Sequence, residues 1–235
     1  MTRNVKISIA LVAIVVLAGV TLAFATDSGD RGAPTTAAAT TASAAATGTG
    51  TAAQAAPAPQ AIRPDSHRLS TARDGRVTLV EFLDFECESC RALYPYLEQL
   101  RAEYDGRVTF AIRYFPIASH TNAQLAAQAV EAASLQGRLE PMYRTMFETQ
   151  AEWGESQESR RATFLGFASR LGLDMDRFRR DLDDPRTAAR IARDQEEGLA
   201  LGVQGTPTLF LNGEQLQLES VDQLKAEIDA ALAGS

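Results

Sequence analysis

The chain has 235 residues, a formal net charge of −7 and a pI near 5.0. That acidic balance argues against nucleic acid or anionic lipid as a partner surface. Its two cysteines fall in a single Cys-x-x-Cys, which excludes a structural disulfide framework, so any disulfide made within the chain is a working one.

Arg3 and Lys6 precede an uncharged run from Ile7 to Ala25, about 19 residues rich in Ile, Leu, Val and Ala. That length is close to what a bilayer core requires and exceeds the usual apolar region of a signal peptide. Residues 1–25 therefore predict a signal anchor with its basic end inside. Ala23-Phe24-Ala25 offers the alternative of cleavage after Ala25, and both readings export the rest of the chain. Thr26 to Arg63 is almost entirely Ala, Thr, Gly, Pro and Ser, with Ile62 its one larger apolar residue. Such a segment cannot bury enough area to offset its ordering entropy, so residues 26–66 predict a disordered tether. Interspersed Thr, Gly and Pro weigh against a helical Ala-rich spacer. Residues 67–235 are left for one globular domain.

Val77, Leu79, Val80, Phe82, Leu83 and Phe85 form the β-branched and aromatic run of a strand buried on both faces, with Glu81 inside it. Arg91 to Tyr104 then places Leu93, Leu97, Leu100 and Tyr104 at helical spacing, so Cys87 falls at or just before a first helical turn. Unpaired N–H groups and the helix dipole favour an anion there, which predicts that the Cys87 thiol ionises more readily than a free one. Cys90, one turn on, is within disulfide reach and less exposed. Glu81 is costly in a buried strand unless it titrates or pairs with a cation, and both readings stay open on the residues alone.

Arg107 to Phe115 reads as a second strand, introduced by the turn Asp105-Gly106. From about Asn122 to Leu201 only amphipathic helical segments follow: 123–135, 141–150, 160–171, 175–182 and 187–201. Pro207 to Leu211 is again a strand, Asn212-Gly213 a hairpin turn, and Glu214 to Leu218 its antiparallel partner. Ser220-x-x-Gln223 is a capping box that opens a last helix with Val221, Leu224, Ile228 and Leu232 on its apolar stripe. The class is α/β, a sandwich with an all-helical subdomain inserted at about 120–201. A structural zinc site needs four ligands, and beyond the two cysteines only His67 and His120 are available, so no metal is expected. His120 reads as a surface or packing residue.

Four features together resemble the DsbA-like branch of thioredoxin-fold thiol–disulfide oxidoreductases: the Cys-x-x-Cys between strand and helix, Glu81 six residues before Cys87, Pro95 five residues after Cys90, and Gly205-Thr206-Pro207-Thr208 before an apolar strand. The resemblance covers about Leu69 to Leu232. It implies a thioredoxin fold with an inserted helical subdomain. Cys87 would form the mixed disulfide, Cys90 would resolve it, and Glu81 would exchange protons with Cys90. A cis bond at Pro207 would set the Thr206 backbone beside Cys87 to pair with an extended substrate. No bound cofactor is required.

Implied partners are exported proteins with cysteines and a membrane redox partner, either a quinone-linked oxidase or a transmembrane reductant. The strong oxidases of this branch carry Pro-His between the cysteines, whereas Glu88-Ser89 stands here. With Glu86 on the other side of Cys87, that substitution opposes ionisation and predicts a weaker oxidant, at about −180 to −270 mV. The rival readings are a client-specific reductase or isomerase, and a holdase or binding module with incidental redox activity.

Overall fold

A computed structural model describes residues 60–234. The expected anchor (residues 1–25) and the tether as far as residue 59 lie outside the described residues. In chain order the elements are β1 (His67–Ser70), β2 (Thr78–Leu83), α1 (Glu88–Glu103), β3 (Thr109–Tyr114), α2 (Ala123–Ser134), α3 (Leu139–Glu148), α4 (Gln150–Trp153), α5 (Arg161–Arg170), α6 (Met175–Leu182), α7 (Pro185–Ala200), β4 (Thr208–Leu211), β5 (Glu214–Gln215) and α8 (Val221–Gly234).

The strands form one sheet in the order β1-β3-β2-β4-β5. Central β2 runs parallel to β3 and antiparallel to β4, with Glu81 opposite Ile112 on one side and Leu209 on the other. Both faces of β2 are covered, which is why its sequence is a continuous apolar run instead of an alternation. On one face Leu79 packs with Phe110, Leu209 and Leu211 against Leu97 and Leu100 of α1 and Leu224 and Ile228 of α8. On the other, Val80, Phe82, Ala111 and Phe210 pack with Phe115 and Val203. Helix α7 crosses this second face at Gly198, where a Cβ would come within 2.9 Å of the Phe115 ring and 3.0 Å of the Phe82 ring. Only glycine permits that approach.

A third cluster joins Leu83, Phe85, Ile112 and Tyr114 to the buried sides of the inserted helices, including Val130, Met142, Tyr143, Phe147, Trp153, Phe164 and Phe178. The insertion is therefore packed onto the end of the sheet that carries the cysteines.

Several boundaries differ from the sequence expectation, each for a local reason. The domain does not begin at residue 67. Ala61 and Ser66 are buried, the Gln60 carbonyl accepts from Arg113 at 2.9 Å, and Arg63 pairs with Glu197 at 2.6 Å. This strap is held by the Gln60 carbonyl, the Arg63 guanidinium and the Asp65 carboxylate, which pairs with Arg193; all three partners are distant in sequence, so no local pattern reveals it. It leads into β1, also unforeseen, which pairs antiparallel with β3. The expected helix at 141–150 breaks at Thr149 into α3 and α4. Helix α7 starts two residues early because Pro185 occupies its first turn and Asp184 caps it, accepting from the Arg186 N–H at 2.8 Å. The expected strand at 214–218 is shorter: β5 covers two residues, and Leu216 and Leu218 turn to pack against the cluster under α1 and α8. The capping box of α8 forms nearly as written, with the Gln223 N–H donating to Ser220 Oγ at 3.2 Å and Gln223 Oε1 accepting from the Glu219 N–H at 3.0 Å.

Candidate active site

Strand β2 ends at Leu83, and four residues later Cys87 is the N-cap of α1, in extended conformation (φ −70°, ψ 123°) with no side-chain cap. The turn between them is tied by buried side chains. Asp84 accepts from the Glu86 N–H at 2.8 Å and the Ile117 N–H at 2.9 Å, and its Oδ2 meets His120 Nδ1 at 2.6 Å. Glu86 accepts from the Asn122 N–H at 2.6 Å. Gln150 of α4 donates to the carbonyls of Phe85 at 2.7 Å and Cys87 at 2.9 Å. The loop after β3 and the inserted helices thus fix the backbone that presents Cys87.

Both cysteines are free thiols. Cys87 keeps 9% of its surface exposed and Cys90 none, the asymmetry expected from the helix position. Cys87 Sγ donates to the Thr206 carbonyl at 3.3 Å. Hydrogen bonding from the Cys90 thiol is the main cause that brings the Cys87 pKa down to about 5; burial opposes it, and the Thr206 hydroxyl and the N–H groups of Cys90 and Ser89 assist. Burial, together with its hydrogen bond to Cys87 and the charges of Glu81 and Cys87, pushes the Cys90 thiol well above its ordinary value. Two neighbouring thiols are thereby driven apart, one towards thiolate and one towards thiol.

Glu81 is 4% exposed, and burial, with a smaller contribution from the Cys87 charge, raises its pKa to about 8. It makes no salt bridge among the described residues, and its Oε1 has no hydrogen-bond partner. Of the two readings left open by the sequence, pairing with a cation is the one the geometry does not form.

The Thr206-Pro207 peptide is cis, as the resemblance implied, and the Thr208 hydroxyl donates back to Gly205 O at 2.7 Å to close the loop. Thr206 Oγ1 is buried with no other hydrogen-bond partner, facing the Cys87 side. Two clefts flank this loop: a groove of about 410 Å³ with Leu93, Leu209, Leu216 and Leu218 beside Gln215, Glu219 and Ser220 in its walls, and a polar one of about 530 Å³ with Gln204, Gln215 and Gln217.

The dipeptide between the cysteines behaves differently from expectation. Glu88 is exposed, and its carboxyl hydrogen-bonds that of Glu155, whose pKa rises for that reason. Glu155 sits at φ 56°, an uncommon conformation for a side chain of its kind. Ser89 contributes its backbone N–H to Cys87, and Glu86 is buried and bound to the Asn122 backbone. None of the three carboxylates is among the main influences on Cys87. His120, expected as a surface or packing residue, is partly exposed and partners buried Asp84; burial alone would lower its pKa, but the Asp84 hydrogen bond and the charges of Asp84, Cys87 and Glu86 raise it. Asp84, Asn122 and Gln150 were missed by sequence reasoning. Asp84 and Glu86, acids set against a buried aromatic, were a legible sign that partners must exist. Among the described residues no group of three or more His, Cys, Asp or Glu is arranged to hold a metal ion.

Known proteins share this fold. A thioredoxin family model matches residues 71–230. Among solved structures, a thioredoxin-like oxidoreductase from Silicibacter pomeroyi DSS-3 is 27% identical and superposes with a TM-score of 0.61 over 74% of this chain and 95% of its own. The α-DsbA1 protein of Wolbachia pipientis gives 0.65 at 16% identity over 74% of this chain and 94% of its own. BdbD from Bacillus subtilis gives 0.61 at 20% identity, over 70% and 91%. At these identities the last two bear on the fold. A curated relative, the Na(+)/H(+) antiporter NhaA 1 of Salinispora arenicola, is 36% identical over 176 residues, 74% of this chain and 26% of that protein. The chain spans about a quarter of the length of the curated relatives it matches. A dithiol at the start of α1, beside helices inserted between β3 and β4 of this sheet, places the protein in the thioredoxin-fold class. The chain belongs to the thioredoxin family.

Proposed function

We propose that the protein works outside the cytoplasm, exchanging disulfides with cysteines of exported proteins through Cys87 and Cys90. The observation that carries this reading is the opposed displacement of the two thiols, with Cys87 lowered to about 5 and Cys90 raised, beside the Thr206-Pro207 loop. In the oxidising direction a substrate thiolate attacks Cys87 Sγ of the Cys87–Cys90 disulfide. The Cys87–Cys90 bond breaks, a substrate–Cys87 bond forms, and the electron pair leaves on Cys90, which takes a proton from Glu81. A second substrate thiolate then attacks the first substrate sulfur and expels Cys87 as its stabilised thiolate. The substrate is oxidised by two electrons and the protein is reduced; a membrane redox partner reoxidises it. The low Cys87 pKa favours its departure and so this direction. The Thr206 backbone and Pro207 would pair with the extended substrate strand.

Arg3, Lys6 and the apolar run 7–25 support export with retention at the membrane, cleavage after Ala25 being the alternative. Among the described residues no helix is long and apolar enough to cross a membrane, and that run lies outside them. The antiporter relatives share only a quarter of their length, so ion transport is not carried over. Trapping with Cys90→Ala tests the reading: mixed disulfides through Cys87 to exported proteins are expected. A holdase or binding module would capture clients equally well without either cysteine, and that result would overturn it.

A further inference from the structure

His120 stands in the loop between β3 and α2, and one buried side chain ties it to the dithiol turn. The Asp84 carboxylate bonds His120 Nδ1 at 2.6 Å, and the Asp84 main-chain carbonyl accepts from the Cys87 N–H at 3.2 Å. Asp84 Oδ2 also accepts from the Ile117 N–H, so Nδ1 is the donor in the pair and the lone pair of the neutral ring lies at Nε2. Among the described residues Nε2 has no hydrogen-bond partner, and 32% of the side chain is exposed. The ring is thus oriented through one nitrogen and open at the other, on the segment that buttresses Cys87. A free thiol is only a few per cent ionised at pH 7, yet the thiolate is the form that attacks a disulfide. Oxidising a substrate dithiol also releases two protons. Cys90, held as a thiol, keeps one, and Cys87, expelled as a thiolate, keeps none.

We propose that His120 accepts the proton of the incoming substrate thiol, with Asp84 as the positioning residue that holds the ring in its accepting tautomer. The substrate S–H bond breaks and its proton goes to Nε2. The sulfur's electron pair forms the bond to Cys87 Sγ as the Cys87–Cys90 bond breaks, so the substrate is oxidised and the protein disulfide reduced, with no further reactant. When Cys87 is expelled as a thiolate, the imidazolium remains as its counter-charge. The surroundings of His120 suit a proton that comes and goes. Burial works to lower its pKa, and the Asp84 hydrogen bond with the charges of Asp84, Cys87 and Glu86 outweighs burial. Asp84 and Glu86 reach it from the turn after β2 and Cys87 from the start of α1. From the insertion, Gln157 and the main-chain oxygens of Ser156 and Glu158 meet the neighbouring Thr121 and Asn122. Of these charges the one on Cys87 disappears in the disulfide. The oxidised protein therefore releases the proton and presents a base when substrate arrives, and the reduced protein keeps it.

The inference rests on Cys87 as the sulfur that substrate attacks, and the test separates the two. Reduction of the oxidised protein by a cysteine peptide is timed by stopped flow from pH 5 to 9 in wild type and His120→Asn, whose amide can still donate to Asp84 but takes no proton. Without a base the rate follows the peptide's thiolate fraction and falls about tenfold per pH unit below a thiol pKa of about 8.5. Wild type is expected to stay above that line, roughly tenfold or more faster than His120→Asn at pH 7, and the two profiles to converge near pH 9. Parallel profiles would overturn the proposal and leave Cys87 standing, because a purely structural role of His120 changes the rate alike at every pH. A wild type that does not react at any pH would overturn the role of Cys87 itself. Ring titration by NMR in the oxidised and reduced wild-type protein supplies a measurement independent of the variant. His120 is expected to titrate higher in the reduced protein by about one pH unit or more, with His67, bonded to Glu131, as the control that does not move. Equal titration of His120 in the two redox states would overturn the proposal.

Discussion

Cys87 Sγ lies 3.3 Å from the carbonyl oxygen of Thr206, 119 residues along the chain. The contact sets the end of α1 that carries the dithiol against the loop that opens β4, so the reactive sulfur and a surface able to receive an extended peptide are one site. Because Cys87 titrates near 5 while Cys90 is held above its ordinary value, alkylation of the reduced protein at pH 7 is expected to label Cys87 first, with a half-maximal rate near pH 5. Cys90→Ala removes the main hydrogen bond to the thiolate and should move that midpoint upward. Equal labelling of the two thiols, or a midpoint near 9, would contradict the assignment.

Glu81 gives a pH dependence of stability with a definite sign. Its pKa is about 8 in the fold against an ordinary 4.5. Below 4.5 both folded and unfolded chains hold the proton and burial of the carboxyl carries no charge penalty. As pH rises to 8 the unfolded chain ionises while the folded one keeps its proton, so stability falls across that window and is level above it. Glu81→Gln cannot ionise and escapes the loss. Its melting midpoint relative to wild type should rise steadily from pH 4.5 to 8, by on the order of 10–20 °C in total. A difference that stays flat with pH in calorimetry would show that Glu81 is already ionised in the fold.

Arg113 and Asp194 are both fully buried and meet at 2.6 Å, with Glu197 also on Arg113 at 2.5 Å. Removing one partner of such a pair strands the other charge, so Asp194→Ala is expected to cost about 3–5 kcal/mol in urea denaturation. Deleting residues 60–66 takes away the Gln60 carbonyl and the Arg63 guanidinium from the same network. A chain starting at residue 67 should therefore be less stable than one starting at residue 60, by about 1–3 kcal/mol. Equal stability of the two would return the strap to the tether.

The parts of this fold legible in sequence are those where a local pattern has one solution. The run around Glu81 had to be a covered central strand, Asn212-Gly213 had to turn, and Ser220 had to open a helix. Cys87 and Cys90 followed from their place relative to that strand and helix. What stayed hidden depends on groups brought together from distant segments. His67 opens a strand only because β3 offers it an antiparallel edge, and residues 60–66 order only because Arg113 is buried beneath them. His120 acquires a partner because Asp84, which reads as the tail of a strand, turns its carboxylate towards the loop after β3. Charges written next to Cys87 in sequence were read as acting on it, although Glu86 points to the Asn122 backbone and Glu88 to Glu155.

That last difference changes the expected redox poise. The sequence reading makes Glu86 and Glu88 opponents of the Cys87 thiolate, whereas the fold turns both aside and supplies the Cys90 thiol and the Ser89 and Cys90 N–H groups as donors. A stabilised thiolate favours the reduced form and so raises the potential. The nucleophile of thioredoxin titrates near 7 with a potential of about −270 mV, and that of DsbA near 3.5 with about −120 mV. A Cys87 pKa of about 5 falls between them, which places the couple at roughly −180 mV, the oxidising end of the range expected from the dipeptide. Since Glu88 is exposed and engaged with Glu155, Glu88→Gln should shift the potential by less than about 30 mV. Glutathione equilibration of the wild type and Glu88→Gln measures both quantities. A wild-type potential below about −230 mV, with a large rise in Glu88→Gln, would show that the acidic dipeptide sets the poise and that the donors around Cys87 do not.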